Sequence, residues 1–441
     1  MRWRIGPGPL DREILALALP ATLALAADPL LSLVDTALVG RLGSVPLAAL
    51  GIDSAVFTTV FFGFNFLTYG TTAAVARRRG ADDLGGAGRY AVQALWLALV
   101  LGVVATLVLL AGAPAIVRLM GASEAVAGPA EVYLRIRASA AVAVLIVQVG
   151  HGAFRGLHDT KTPLVISVVA NLVNGVVSWV LIYPVGLGVA GAALGSVVAE
   201  VGAAAAFLVI GVRRFPTTEL RIDRRAMREI VRVSRDLFLR TVSLLSGLLV
   251  TTAIAARMGV VVVAAHQIAR ELWTMLALVL DGFAIAGQAM IASALGAGQP
   301  QRAIEQSRRL VGWGLAGGIV IGLGYLALAG VLPAVFSTDP AVLSLVAGVW
   351  VIVAVLQPIG GVVFVLDGIL MGAGDFRFLL WSTAGAALGA LVPVGLLAVA
   401  FHWGLRGVWA GMAAMMVVRL ITIVWRWRGG RWAVPEPRRS R

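Results

Sequence analysis

The stretch LVDTALVGRLG, residues Leu33–Gly43, places a carboxylate, Asp35, inside an apolar run long enough to cross a lipid bilayer. The chain has 441 residues, of which 60% are hydrophobic and 13% are charged. Because soluble domains carry about 25% charged residues, this composition excludes a soluble protein and indicates a surface that faces lipid. The sequence therefore predicts an all-α polytopic membrane protein.

Apolar runs between charged or Gly/Pro-rich breaks define the predicted spans. A helical span needs about 20 mainly apolar residues. The segment MRWRIGPGPLDRE at residues 1–13 is too polar for a cleaved signal peptide, so the run after it is expected to be the first span. Twelve spans are predicted, near residues 14–39, 46–76, 90–112, 126–152, 162–183, 189–212, 229–257, 260–295, 310–332, 341–370, 377–401 and 405–426.

Basic residues are concentrated in alternate connections between these spans. Both termini and the connections after every even-numbered span hold most of the 36 lysines and arginines. The opposite connections hold Arg41, Arg118, Arg257 and Arg406. Since cytoplasmic loops carry such an excess, we expect both termini in the cytoplasm. The net charge of +14 is then a topology signal, and we expect no nucleic-acid partner.

The two halves of the chain share residues at a constant offset of 216, as between Arg12 and Arg228. Matches in arginine, glutamate and aspartate are hard to dismiss as accidents in a chain rich in alanine and glycine. The matching pairs include Arg12-Glu13-Ile14 with Arg228-Glu229-Ile230, Thr36-Ala37 with Thr252-Ala253, Arg41 with Arg257, and Asp159 with Asp375. The sequence thus predicts an internal repeat.

Each half contains six predicted spans, so both halves have one orientation in the membrane. Parallel repeats of this kind are related by an axis along the membrane normal, and transporters place substrate sites between them near the midplane. We expect two six-helix lobes related by a pseudo-twofold axis. They are residues 1–212 and residues 227–441 with a basic cytoplasmic tail, joined by a cytoplasmic linker at 213–226. This organisation favours a transporter.

Acidic residues inside the first span mark a candidate coupling site. A carboxylate at a span centre costs about 2.5–3.5 kcal/mol on insertion scales, and such acids usually line cavities or ion paths. Asp28, Ser32 and Asp35 share one helix face through their i, i+4 and i+7 spacing. We interpret Asp35, with Asp28, as a site that binds and releases a proton. The alternative is a permanently neutral acid hydrogen-bonded to a neighbouring helix.

Asp281 and Asp367 are further acids within spans, and each precedes a glycine. We interpret both, together with Pro20, as candidates for the wall of a substrate cavity. The alternative for the two acids is a local hydrogen bond at a bend. Pro20 can interrupt the backbone ladder of the first span, which neighbouring helices tolerate, and a static kink is the alternative there.

The sequence predicts neither catalysis nor metal binding. The chain has no cysteine and four histidines, and no histidine pair has the spacing of metal ligands. A membrane-embedded enzyme would need a nucleophile–base pair or a metal cluster, and neither is evident. We therefore expect no enzyme activity, no metal and no cofactor.

Characteristic motifs occur in both halves of the chain. Besides Leu33–Gly43 they are FRGLHDTKTPL (Phe154–Leu164), GLGVAGAALGSVVAE (Gly186–Glu200), VAAHQIARELW (Val263–Trp273), LDGFAIAGQAM (Leu280–Met290) and LDGILMGAGDFR (Leu366–Arg377). Together these stretches resemble the multidrug and toxic compound extrusion (MATE) family. The two LDG motifs resemble its bacterial DinF-type branch in particular.

The resemblance implies an exporter with two six-helix lobes and a central cavity. Such exporters drive out amphipathic, often cationic compounds against an inward flow of protons or sodium ions. The family's principal coupling acid falls on Asp35, and its cation site on Asn174 and Ser196. The family's aspartate in span five is replaced here by Ser178, and Asn171 lies one turn before Asn174. With one carboxylate fewer, we favour protons over Na⁺ as the coupling ion.

These observations predict a secondary active antiporter that works by alternating access on small amphipathic, cationic molecules. We expect the protein to be a monomer. We also expect it in the plasma (inner) membrane of a bacterium, because the Ala, Gly, Val and Arg bias is typical of a GC-rich bacterial genome. The alternative within the same superfamily is a flippase for a lipid-linked or polyisoprenoid substrate. A flippase would need basic residues in its cavity, and the arginines within or beside spans do not decide between the two: Arg135, Arg137, Arg240, Arg270 and Arg419.

Overall fold

The computed structural model describes residues 8–216 and 219–434. It describes the backbone but not the side chains of Asp28, Leu30, Leu31 and Leu276. Within these limits the chain forms helices and no strand. The first half contains α1 (Pro9–Gly40), α2 (Ser44–Phe62), α3 (Phe66–Gly80), α4 (Leu84–Leu119), α5 (Glu124–Ala138), α6 (Ala141–Gly156), α7 (Lys161–Ile182) and α8 (Gly188–Arg214).

The second half repeats this pattern of long helices. It contains α9 (Arg224–Arg257), α10 (Val260–Gly296), α11 (Pro300–Ala327), α12 (Leu332–Phe336), α13 (Pro340–Ala373), α14 (Phe376–Ala386), α15 (Val392–Ala400) and α16 (Gly404–Arg428). A 3₁₀ turn, Gly63–Asn65, joins α2 to α3, and a π-helical segment, Ala387–Leu391, joins α14 to α15. The π segment precedes Pro393, whose ring lacks a backbone donor and displaces the preceding turn.

The described residues contain the twelve predicted spans. Eleven helices or joined helices are long and apolar enough to cross a membrane, and the twelfth span is the bent pair α5 and α6. The pair bends by 51° at Ser139, whose hydroxyl donates to the carbonyl of Ile136 at 2.6 Å. Such local side-chain bonds compete with the helical ladder. The prediction of an all-α polytopic membrane protein is therefore confirmed, although the bend was not predicted.

The chain divides into two compact units. The N-terminal unit is Leu23–Ser234, and the C-terminal unit comprises the described residues of Met1–Thr22 and Arg235–Arg441. The start of α1 belongs to the C-terminal unit because Asp11 Oδ1 accepts from Arg309 Nε at 2.5 Å. The units thus differ at their edges from the predicted lobes, residues 1–212 and 227–441, whose boundaries stay a prediction.

Positive φ angles recur at the offset of 216 residues. A residue other than glycine rarely adopts them, so their positions are informative. The pairs are Gly43 (122°) with Gly259 (123°), Asp82 (56°) with Gly298 (71°), His158 (60°) with Gly374 (80°), Gly186 (80°) with His402 (55°), and Gly188 (53°) with Gly404 (59°). The helix connections of the two halves therefore turn in the same way, which supports the predicted repeat.

Close helix contacts recur at the same offset. A Cβ added to Gly152 on α6 would lie 2.6 Å from the carbonyl oxygen of Thr68 on α3. A Cβ added to Gly368 on α13 would lie 2.2 Å from the carbonyl oxygen of Ala284 on α10. Small residues let helix backbones approach closely in membranes. Each unit therefore contains an equivalent contact that only glycine permits.

Candidate functional site

Asp35 lies on α1 within the N-terminal unit and is buried. Only 8% of its surface is exposed, whereas 66% of Leu33 and 44% of Val34 are exposed. In a soluble protein the acid would be exposed and the apolar residues buried, so the burial pattern here is the opposite. A buried carboxylate is costly unless other groups pair with it or donate hydrogen bonds, so its neighbours determine what it can bind.

Two side chains of α7 extend from Asp35 in a hydrogen-bonded row. Asn174 Nδ2 donates to Asp35 Oδ2 at 3.3 Å, and the Ser178 hydroxyl donates to Asn174 Oδ1 at 2.7 Å. Asn174 and Ser178 are one turn apart on one helix face, and both are buried. The other carboxylate oxygen, Asp35 Oδ1, is buried and has no hydrogen-bond partner among the described residues.

Ser196 of α8 lies on the neighbouring helix, where its hydroxyl donates to the carbonyl of Ala192 at 3.3 Å. α8 approaches α7 closely here, since a Cβ added to Gly195 would lie only 2.1 Å from Ser178 Oγ. The absence of a side chain at Gly195 makes this approach possible. Gly195 thereby allows the hydroxyls of α7 and α8 to share one buried region.

Arg137 of α5 brings a second acid to this region. Its Nε lies 3.7 Å from Asp53 Oδ2 on α2, and its guanidinium carbon lies 4.1 Å from the ring centroid of Phe57. Arg137 also acts electrostatically on Asp35. Arg137 therefore pairs with Asp53 and acts on Asp35 from a greater distance, which leaves the group of Asp35, Asp53 and Arg137 with one excess negative charge when both acids are ionised.

Sequence reasoning did not include Arg137, Asp53 or Tyr133 in the site. Asp53 lies near the start of the second predicted span, and Arg137 is one of several arginines within or beside spans. The sequence does indicate that Tyr133 and Arg137 lie on one face of a helix, because they are four residues apart. Their contact with α1 depends on tertiary packing, which periodicity does not predict.

Asn171, another predicted coupling residue, lies apart from this row. Asn171 donates from Nδ2 to the backbone carbonyl of Ala27 at 2.8 Å, so it ties α7 to α1 one turn before Asn174. The side chain of Asp28 lies outside the described residues. α1 continues as a helix through Pro20.

The two acids of the predicted cavity wall, Asp281 and Asp367, lie in the C-terminal unit. Asp281 on α10 is half-buried. Asp367 on α13 is buried and accepts hydrogen bonds on Oδ2 from Arg240 of α9, at 2.6 Å, and from Arg419 of α16. Nothing in these contacts tests the assignment to a substrate cavity, which stays a prediction.

The row around Asp35 offers an acid oxygen together with neutral oxygen atoms. Asp35 Oδ1 has no donor among the described residues. Asn174 contacts Asp35 through its amide, Ser178 adds a hydroxyl bonded to Asn174, and Ser196 adds a second hydroxyl on the neighbouring helix. A proton on Asp35 would neutralise the charge at Oδ1, and a hard cation would take oxygen ligands from the same set. The arrangement suits reversible binding of a small positive charge.

Comparisons with known proteins agree with the repeat. A family model described as MatE matches residues 20–180 and again residues 237–397, more than half of the chain. The chain is 33% identical to Protein DETOXIFICATION 44, chloroplastic, of Arabidopsis thaliana, over 97% of this chain and 84% of the plant protein. It is 29% identical to DNA damage-inducible protein F of Escherichia coli (strain K12), over 96% of this chain and 94% of that protein.

A solved structure of MATE in the bent conformation has the same fold. It matches with a TM-score of 0.89 at 24% sequence identity, over 96% of this chain and 97% of that one. The resemblance read from the motifs is thus confirmed by family, relatives and fold. The chain belongs to the MatE family of multidrug and toxic compound extrusion transporters, and it is a multi-pass membrane transporter and not an enzyme.

Proposed function

We propose that this transporter exports amphipathic, cationic compounds in exchange for protons that bind to and leave Asp35. The observation that carries the proposal is the buried position of Asp35, with one oxygen bonded to Asn174 and the other without a partner among the described residues. Protonation there removes a negative charge from the membrane interior. A bound cation then loses its counter-charge and leaves, and deprotonation restores the site.

The replacement of an acid by Ser178 favours protons over sodium ions. The Ser178 hydroxyl donates its hydrogen to Asn174, so this position supplies hydrogen bonding and no formal charge. A hard cation prefers several oxygen ligands, including carboxylates, and Asp35 is the one acid in this row. Na⁺ is the competing coupling ion, with Asn174, Ser178 and Ser196 as its neutral ligands.

The proposed exchange has a simple energetic consequence. Moving one charge across the membrane potential is worth about 2.3 kcal/mol per 100 mV, and each pH unit across the membrane is worth about 1.4 kcal/mol per proton. One proton exchanged for one monovalent cation moves no net charge. The pH difference alone would then drive export at this stoichiometry.

The charge pattern supports the proposed setting. The concentration of arginine in alternate connections supports cytoplasmic termini, and we place the protein as a monomer in a bacterial plasma membrane. Similarity to a plant protein named for detoxification supports export of harmful compounds over the flippase alternative.

The test is transport of ethidium by the purified protein in vesicles with an acidic lumen. Asp35→Asn keeps the shape of the side chain and removes the proton-binding group, so we expect uptake to fall at least about tenfold, a barrier increase of about 1.4 kcal/mol. Asp339→Asn is the matched control, because Asp339 is exposed and caps Ala341 N at 2.8 Å, which asparagine also does. Undiminished uptake by the Asp35 variant would refute the proposal.

A further inference from the structure

The C-terminal unit contains a buried group of three charged side chains, Arg240 on α9, Asp367 on α13 and Arg419 on α16. Both arginines donate through Nη2 to the same oxygen, Asp367 Oδ2. The three side chains are largely buried. Their exposed fractions are 11% for Arg240, 3% for Asp367 and 1% for Arg419. We refer to these three residues as the arginine cluster.

The arginine cluster carries one more positive than negative charge. A guanidinium does not lose its proton in proteins, so both arginines stay charged. The ion pairs that the described residues form with Asp367 are those with Arg240 and Arg419. A buried charge without a partner is strongly unfavourable, and an anion is the group that would balance it.

Hydrogen-bond donors also remain in excess around the arginine cluster. Arg240 Nε and Arg419 Nε are buried without an acceptor among the described residues. Against these two donors stands one unused acceptor, Asp367 Oδ1. The surplus of donors calls for a ligand with acceptor oxygens.

We propose that the arginine cluster binds an oxyanion, a carboxylate or phosphate carried by a small organic acid or by a lipid headgroup. The planar fork of arginine matches both groups through charge-assisted hydrogen bonds. Arg240 keeps the greater exposure, so the anion enters from its side. The inference goes beyond cation export, because it assigns a ligand of opposite charge to the C-terminal unit and does not involve Asp35.

The test is equilibrium binding of succinate and of inorganic phosphate to the purified full-length protein in neutral detergent. A third arm uses mixed micelles containing phosphatidylglycerol, which separates a free anion from a lipid headgroup. Arg240→Gln leaves one arginine on one carboxylate, a balanced pair that should fold. We expect this variant to lose affinity by at least about tenfold, the effect of one charge-assisted bond. Arg308→Gln, at an exposed position, is the control with the same loss of charge.

Asp367→Asn separates ligand binding from a structural role. It raises the net charge of the arginine cluster by one, so oxyanions should bind more tightly than to the parent, while a purely structural cluster would only lose thermal stability. Asp35→Asn should bind the oxyanion as the parent does, even where it abolishes ethidium transport. The proposal is overturned if none of the three probes binds to the parent, or if Arg240→Gln binds like Arg308→Gln.

Discussion

Asp35 is a residue at which the two halves of the chain differ in charge. Its counterpart at the offset of 216 residues is Thr251, whose hydroxyl donates to the carbonyl of Leu248 at 2.7 Å. Equivalent positions of the repeat thus carry an acid in one unit and, in the other, a hydroxyl that is hydrogen-bonded within its own helix. This difference is the reason to assign coupling to the N-terminal unit.

Ser178→Asp should shift coupling toward sodium ions. It adds a carboxylate one turn from Asn174, and two acids with amide and hydroxyl oxygens make a better site for a hard cation. We expect ethidium uptake driven by an imposed sodium gradient to appear in this variant and to be weak in the parent. Ser178→Asn, of the same size without the charge, is the control. Equal sodium responses in the two variants would show that the charge at this position does not select the ion.

Arg137→Gln should impair folding stability and transport together. The change removes the guanidinium that lies 3.7 Å from Asp53 and acts on Asp35, so two buried acids lose their cation. Breaking a buried charge pair by removing one partner costs about 3–5 kcal/mol, which a melting curve in detergent detects.

The double variant Arg137→Gln with Asp53→Asn tests whether charge is the cause. It returns the region to a single acid, so stability should recover substantially, as a positive coupling in a double-mutant cycle. If the two changes simply add, Arg137 acts through its packing on Phe57 instead.

The residues of the candidate site were predictable in part. Asp35, Asn174 and Ser178 follow from motif positions, and the structure brings all three into one row. Arg137 and Asp53 come from helices that are distant in sequence from α1, so only their packing reveals the shared charge. The cluster around Asp367 was missed for the same reason, since its partners Arg240 and Arg419 are separated from it by whole spans.

At the scale of helices, the apolar runs predicted the number and order of the spans. Their ends were less predictable, because helices continue into polar sequence that no apolar run reveals. α11 begins at Pro300, although its apolar run was expected from residue 310. α4 begins at Leu84, where the side chain of Asp83 accepts a hydrogen bond from Gly86 N, and such a cap lies outside the membrane signal.

The contact between α7 and α8 depends on a single glycine. A Cβ on Gly195 would lie 2.1 Å from Ser178 Oγ and 2.8 Å from Ser178 N, so Gly195→Ala must push the helices apart. We expect destabilisation of about 1–3 kcal/mol, typical of overpacking, and loss of transport through displacement of Ser178. Melting temperature and ethidium uptake measure the two effects.

Gly202→Ala on the same helix is the matched control. A Cβ there meets nothing within 4 Å, and alanine favours a helix over glycine by about 1 kcal/mol. Stability should stay the same or rise slightly. If Gly195→Ala behaved like Gly202→Ala, the close contact of α7 and α8 would be unnecessary for the site.

At the scale of the whole molecule, the two units share the same backbone turns but differ in the charges that they bury. The backbone repeats, as the positive φ angles of Gly43 and Gly259 illustrate. The N-terminal unit places Asp35 and Asp53 around one arginine, whereas the C-terminal unit places two arginines around Asp367. A repeat in sequence predicts the shared backbone, but the opposite charges follow from the individual side chains that each unit carries.

The central claim is that a proton on Asp35 drives export, and transport under separately imposed gradients tests it most directly. Purified protein in vesicles would be given a pH gradient without sodium, and then a sodium gradient without a pH difference. We predict that the pH gradient drives ethidium uptake by the parent, that Asp35→Asn abolishes it, and that the sodium gradient drives little. Uptake driven by sodium alone, or pH-driven uptake that survives Asp35→Asn, would contradict the account.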